Sequence, residues 1–285
     1  MGSWSSPVEL ERARWPRLAA SPHPELRPLV AREYAGFVEA TAPRHLVLPA
    51  TASVPLIVKI RESVHRPPAF VMGAHGAYSV LEGDCAPSYL EVWLGPLGAY
   101  RLLGLPMDEL SGQIVDLVDL LGAAGRRLAE RLRQAPTWNR RFALVDEFLL
   151  GRLERGRQPS PEVDWAWRRL VATGGAVPIG RVAKDVGWSH RHLIARFKQQ
   201  VGLPPKTAAR LVRFDRVWRR LDEGRPLDWG QLAADSGYAD QAHLIRDFRQ
   251  FTGTTPTDFL ARTLAPHRDG EGEVNSVQDE VVTPS

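Results

Sequence analysis

The sequence predicts an α+β chain: an N-terminal β-rich domain followed by helices, then an all-α C-terminal domain of two helix-turn-helix units joined by a long helix. Three observations carry this. Between residues 46 and 96, short apolar runs alternate with breaks rich in Gly and Pro, the signature of strands and turns. After Gly95 the apolar residues recur at three- and four-residue intervals, the period of helices facing a core. Finally, an eleven-residue string recurs 51 positions further along, which marks a duplicated unit.

Taken in order, residues 1–24 are rich in Ser, Pro and Arg without periodicity and are expected to be a loose lead-in. Residues 25–157 are expected to form one domain. Its strands are predicted at 46–48, 54–60, 69–72, 78–81 and 89–94, and its helices at 97–105, 111–121, 128–132 and 138–153. The second of those helices rests on Ile114, Leu117, Val118 and Leu121. The apolar stripes of 111–121 and 138–153 exceed what one small sheet needs covered, which makes a homodimer an expectation beside simple internal packing. The stretch GRLERGRQPSP at 151–161 loses apolar content and ends on prolines, so a boundary is placed there and 158–264 is read as the second domain. Residues 265–285 are acidic and aromatic-free, and a disordered tail is expected.

Composition excludes several classes. The longest apolar candidate, 46–58, is broken by Pro49, Thr51, Ser53 and Pro55, far short of the roughly 20 residues a membrane helix needs. The first twenty residues lack the apolar stretch of a secretory signal, so a cytoplasmic protein is expected. A single cysteine, Cys85, supports neither an internal disulfide nor a structural zinc site. The net charge is only +4, but residues 161–262 hold 17 Lys and Arg against 11 Asp and Glu, and 263–285 hold 1 against 5. A positive block is what a polyanion-binding module carries, although a solvated charged face looks the same.

The duplication is the informative feature. HLIARFKQQVG at 192–202 and HLIRDFRQFTG at 243–253 agree at six of eleven positions, and Val182, Ala183 and Gly187 correspond to Leu232, Ala233 and Gly237 at a shift of 50. Each unit parses as helix, tight turn, helix. Gly187 ends the first helix of the first unit, Ser189 caps the second and Asp240 plays that part in the second unit. Alanine at 183 and 233 lets two helix axes cross closely. This is the helix-turn-helix pattern, whose second helix enters the major groove of DNA. At 100° per residue, Leu193, Phe197 and Val201 fall on the buried side of helix 190–201, and Arg191, His192, Ala195 and Gln199 fall outward. The second unit buries Leu244 and Phe248 and exposes Ala242, His243, Arg246 and Gln250. The candidate DNA-binding set is therefore His190, Arg191, His192, Ala195, Lys198, Gln199, Gln241, Ala242, His243, Arg246, Arg249 and Gln250. Arg191 and Arg246 stand one turn apart in their helices, so the two helices are expected to read different bases; Lys198 and Arg249 suit phosphates. Between the units, residues 205–223 are read as one helix with Leu211, Phe214, Trp218 and Leu221 on a stripe, about 27 Å long at ~1.5 Å per residue.

Over 161–264, and above all in VAKDVGWSHRHLIARFK and LAADSGYADQAHLIRDFRQFTGTTPTDF, the chain resembles bacterial transcription regulators of the AraC/XylS type. The resemblance implies a DNA-binding domain of two helix-turn-helix units, base contacts from outward positions such as Arg191 and Arg246, and RNA polymerase as a partner of an activator. It further implies a variable sensor domain ahead of the DNA-binding domain, which 25–157 fits by its β-rich start and the stretch GPLGAYRLLGLPMDELSGQIVDLVDLLG, and which binds an effector or dimerises. Ile194 and Ala195 depart from the polar side chains common in the family, so the first helix is expected to lean on Arg191 or on apolar contact to thymine methyls.

Other chemistry is weakly supported. His45, His65 and His75 lack metal-ligand spacing, and His190 and His192 on a helix point about 200° apart. No metal or cofactor is expected. Cys85 has no histidine near it in sequence to serve as a base, and neither GAHGAY nor LVATGG has the spacing and lysine of a phosphate loop, so no enzyme is expected. Two alternatives stay open: an enzyme with a pocket in the N-terminal domain tethered to DNA, and a non-specific architectural DNA binder.

Overall fold

The structure is a computed structural model that describes residues 17–38, 45–61, 67–82, 88–222 and 228–264. Cys85, His65 and the acidic tail lie outside the described residues. The chain begins with a six-stranded antiparallel sheet in the order β1-β2-β7-β4-β5-β8: β1 (Arg17–Ala20), β2 (Tyr34–Val38), β4 (Val54–Lys59), β5 (Ala69–Met72), β7 (Ser88–Leu94) and β8 (Ile114–Asp116). A separate pair joins β3 (His45–Leu48) to β6 (Ser79–Glu82). Helices α1 (Pro96–Leu103), α2 (Leu117–Leu121), α3 (Ala123–Gln134) and α4 (Trp138–Leu153) follow. The fold class is α+β, as the sequence predicts.

The two-residue period of the strands sorts the core. Val54, Leu56 and Val58 of β4 pair in register with Leu94, Val92 and Leu90 of β7, and this face meets Leu128, Leu132, Phe142, Val145 and Leu149 of α3 and α4. The opposite face presents Phe37 stacked on Tyr89 at 4.6 Å between ring centres, and Leu48, Phe70 and Met72 cluster beside it. With both faces covered, every residue of β7 is buried. Each such aliphatic side chain contributes roughly 1.5–3 kcal/mol of burial.

Three elements differ from the expectation. Residues 17–20, placed in a loose lead-in, form the edge strand β1, and 34–38 form β2. Neither advertises itself, because β1 is mostly exposed and β2 carries Gly36, where a Cβ would sit 2.3 Å from the Trp138 ring. The helix expected over 111–121 begins only at Leu117. Residues 114–116 instead pair with β5, and the Asp116 carboxylate accepts from the Val118 N–H at 2.7 Å, which caps the helix inside the apolar period.

The second half is helical: α5 (Pro161–Ala172), α6 (Ile179–Asp185), α7 (His190–Val201), α8 (Pro205–Asp222), α9 (Trp229–Asp235), α10 (Gln241–Thr252) and α11 (Pro256–Leu264). It rests on the first half through the ends of α7 and α10. The last carbonyls of a helix lack partners within it. Here Ala50 N donates to Phe251 O (2.8 Å), Tyr78 N to Gln250 O (3.1 Å) and Ser111 Oγ to Gly202 O (2.9 Å). Ala50, Ala52 and Ala74 join the same apolar cluster as Phe214 and Phe251.

His75 ties the two loops of this seam together. Its backbone bridges Thr51, its Nδ1 lies 3.0 Å from the Gly73 carbonyl oxygen and its Nε2 3.0 Å from that of Pro49. Burial pushes the imidazole below its ordinary value, more strongly than the two carbonyls raise it. A lowered histidine in the folded state binds protons less readily than in the unfolded chain, so its contribution is intact above the ordinary histidine range and is lost as pH falls. Unfolding midpoints measured from pH 7 to pH 5 are therefore expected to drop more for the natural chain than for His75→Gln; parallel curves would contradict this.

Candidate nucleic-acid interface

Each unit is built the same way. In the first, Val182 and Ala183 of α6 are buried against Leu193 and Phe197 of α7; in the second, Leu232 and Ala233 of α9 meet Leu244 and Phe248 of α10. Gly187 and Gly237 turn the chain with φ of 71° and 79°, a region that side chains with a Cβ rarely adopt. Ser189 Oγ accepts from His192 N at 3.2 Å, and Asp240 Oδ1 accepts from His243 N at 2.6 Å. Gly202 and Gly253 close the second helices in the left-handed conformation. An aromatic residue of each turn meets the histidine edge to face: Trp188 on His192 at 4.6 Å and Tyr238 on His243 at 5.1 Å.

Helix α8 is a wall shared by both units. Ala208 and Ala209 enter the core of the first unit with Val163, Leu170 and Phe197, whereas Leu211, Phe214, Val217 and Trp218 enter that of the second. Phe214 contacts Phe248 and Phe251 at 5.4 and 5.1 Å, and Trp218 contacts Phe259 at 4.9 Å. The arginines off this stripe are largely engaged. Arg213 donates to Gly175 O at 3.0 Å and lies over the Tyr238 ring, Arg219 pairs with Asp215, and Arg210 grips Asp247 of α10 at 2.6 Å. Burial and the Asp247 carboxylate push the Tyr238 hydroxyl above the ordinary phenol range.

The outward faces keep most of the expected residues. His190, Arg191, His192, Ala195 and Lys198 are exposed on α7, and Gln241, Ala242, Arg246 and Arg249 are exposed on α10. The guanidinium groups of Arg191 and Arg246 have no ion pair among the described residues. Two expected residues are drawn aside. Gln199 accepts from Arg196 at 2.6 Å, and Gln250 accepts from Arg210 at 2.6 Å while reaching Gly76 O at 3.4 Å. His243 is half-buried against Tyr238. The Arg210–Asp247 pair escaped sequence reading because its partners stand 37 residues apart. The resulting surface has two short helices, each with one free arginine and a flanking cation, on a common rigid support. It can donate bidentate hydrogen bonds to acceptors spaced along a polyanion.

Residues 182–262 match a family model described as a helix-turn-helix domain. The HTH-type transcriptional regulator YbfI of Bacillus subtilis (strain 168), itself described as uncharacterized, is 30% identical over 69 residues, 24% of each chain. The matched segment thus spans about a quarter of that relative's length. Among solved structures, ToxT from Vibrio cholerae O395 is similar at 9% identity with a TM-score of 0.42, covering 88% of this chain and 95% of that one. ToxT with a bound unsaturated fatty acid, from Vibrio cholerae strain SCE256, is similar at 10% identity and a TM-score of 0.41, covering 87% and 91%.

The Arg210–Asp247 pair is 26% and 4% exposed at its two side chains. Removing one member of a fully buried pair costs about 3–5 kcal/mol, and the partial exposure of Arg210 screens some of that. Arg210→Met strands the Asp247 carboxylate and is expected to cost about 2–3 kcal/mol in urea unfolding. The double change Arg210→Met with Asp247→Leu is expected to recover most of it; no recovery would show that the pair is not the source.

Proposed function

We propose that this chain, whose residues 182–262 form a helix-turn-helix domain of the AraC/XylS type, is a sequence-specific regulator of transcription that binds double-stranded DNA. The observation that supports it most is the pair of equivalent helices with capped N-termini, each with an unpaired arginine at a different turn, Arg191 on one and Arg246 on the other, beside an exposed flanking cation, Lys198 or Arg249. In this reading Arg191 and Arg246 contact bases, and Lys198 and Arg249 contact phosphates. His190, His192, Ala195, Gln241 and Ala242 line the same faces. Gln199, Gln250 and His243 support these faces more than they read DNA, since neighbouring side chains hold them. The N-terminal domain senses an effector or dimerises, and the protein works in the cytoplasm as an activator in contact with RNA polymerase. Among the described residues no helix is long and apolar enough to cross a membrane.

Helix α8, with its 18 residues, is about 27 Å long, close to the ~34 Å between successive major-groove faces on one side of a duplex. One chain can therefore place both helices in adjacent grooves. Selection from randomised duplex DNA at near-physiological salt is expected to recover a motif of two segments about one turn apart. Arg191→Ala and Arg246→Ala should each relax one segment, at about 1–3 kcal/mol. Lys198→Ala and Arg249→Ala should weaken all sequences alike and lower the salt slope by about 1 each. Binding without a motif, weakened equally by all four changes, would overturn sequence-specific reading.

A further inference from the structure

The outward faces of α7 and α10 carry cations without counter-charges of their own. From His190 to Val201 there is no Asp or Glu, and from Gln241 to Thr252 the one carboxylate, Asp247, is buried and gripped by Arg210. Arg191, Lys198, Arg246 and Arg249 are exposed, and none has an ion pair among the described residues. Four like charges without partners favour an anionic occupant.

The sequence carries such an occupant beyond the end of α11. Residues 265–285 hold Asp269, Glu271, Glu273, Asp279 and Glu280 against a single basic residue, Arg268. The carboxylates fall in two groups, DGEGE at 269–273 and DE at 279–280, as the cations fall on two helices. The charge surplus has the same complementarity, positive over 161–262 (17 against 11) and negative over 263–285 (1 against 5). Reach is sufficient. The last described residue, Leu264, ends α11, and Phe259 of that helix packs on Phe248 of α10, so the acidic stretch starts from a helix that lies on the second unit. At no more than ~3.6 Å per residue, Asp269 can stand up to about 18 Å from Leu264 and Glu280 up to about 58 Å. The centres of the two acidic groups can stand about 30 Å apart. Helix α8, which joins the two units, is about 27 Å long with its 18 residues.

We propose that the acidic segment 269–280 docks on the outward faces of α7 and α10 of its own chain, with Asp269, Glu271 and Glu273 against Arg246 and Arg249, and Asp279 and Glu280 against Arg191 and Lys198. Docked there, it excludes any other polyanion until that polyanion displaces it. Tethering supplies an effective concentration in the millimolar range, so contacts too weak to hold a free peptide hold this one. Apparent affinity for a competing polyanion then falls in proportion to the fraction of chains left open. The docking stands on charge and reach alone, whereas competition with a duplex rests on the DNA-binding reading.

A water-soluble carbodiimide tests the docking, because it couples a carboxylate to a lysine only when the two are in contact. The chain has four lysines: Lys59 is buried, Lys184 and Lys206 are exposed on α6 and α8, and Lys198 is exposed on the outward face of α7. Treatment of the full chain at ~0.02 M salt, where screening is weak, is expected to link Lys198 to Asp279 or Glu280 within single chains. The double change Arg246→Met with Arg249→Met is expected to cut the yield severalfold by freeing the first acidic group. Links spread evenly over Lys184, Lys198 and Lys206, no link to Lys198, or links confined to covalent dimers would overturn the proposal. A second arm titrates a labelled mixed-sequence duplex into the full chain and into its variant Asp269→Asn, Glu271→Gln, Glu273→Gln, Asp279→Asn, Glu280→Gln. The variant is expected to bind about tenfold more tightly at low salt, the gain from opening a face about nine-tenths closed, and the gap is expected to narrow as salt rises. Equal affinities at low salt would overturn the closure of the face. A link to Lys198 in a chain whose variant binds no duplex would uphold the docking and sink the DNA-binding reading alone.

Discussion

Helix α8 is the constraint on which the second half of the molecule depends. It is one uninterrupted helix of 18 residues, and it contributes side chains to two cores at once. Its N-terminal alanines, Ala208 and Ala209, fit beside α5 and α7, where a larger residue would force the first unit apart. Its aromatic stretch, Phe214 and Trp218, fills the space among α9, α10 and α11. Neither unit owns a complete core without this helix. The two second helices are therefore members of one packed body, and close-packed interiors transmit rather than absorb displacement.

The N-terminal half adds a second restraint to the same pair of helices. It supplies donors to carbonyls at the ends of α7 and α10, through Ser111, Ala50 and Tyr78. Capping of this kind satisfies groups that would otherwise need water, and it fixes where each helix ends. A shift in the loops around Thr51 and His75 is thus felt at α10, and a shift near Ser111 is felt at α7. These contacts join the first half of the chain to both second helices.

Much of the second half was legible in the sequence because its determinants are local. The caps at Ser189 and Asp240, the left-handed glycines and the stripe of α8 are all read within a few residues, and helix α7 spans His190–Val201 as the period predicts. The N-terminal sheet was legible only where strands are apolar and well punctuated, as at Ala69–Met72. Strand β1 escaped because an exposed edge carries no alternation, and β8 escaped because its three residues continue the helical period of the segment that follows. The outward faces were legible by helical geometry. The engagement of Gln199 and Gln250 was not, since it depends on Arg196 and on Arg210, a residue of another helix.

Helix α8 and the N-terminal seam hold the two second helices in one packed body, and the proposed reading of adjacent grooves requires that body to be rigid. The most direct measurement is fluorescence anisotropy of the full chain on a labelled duplex carrying both recovered segments, compared with the same duplex after insertion of about 5 base pairs between them. Half a helical turn moves the second segment to the far side of the duplex. Affinity is expected to fall to that of a duplex with one segment alone. Undiminished affinity on the inserted duplex would contradict it, because two units on a flexible support would follow their segments around the helix.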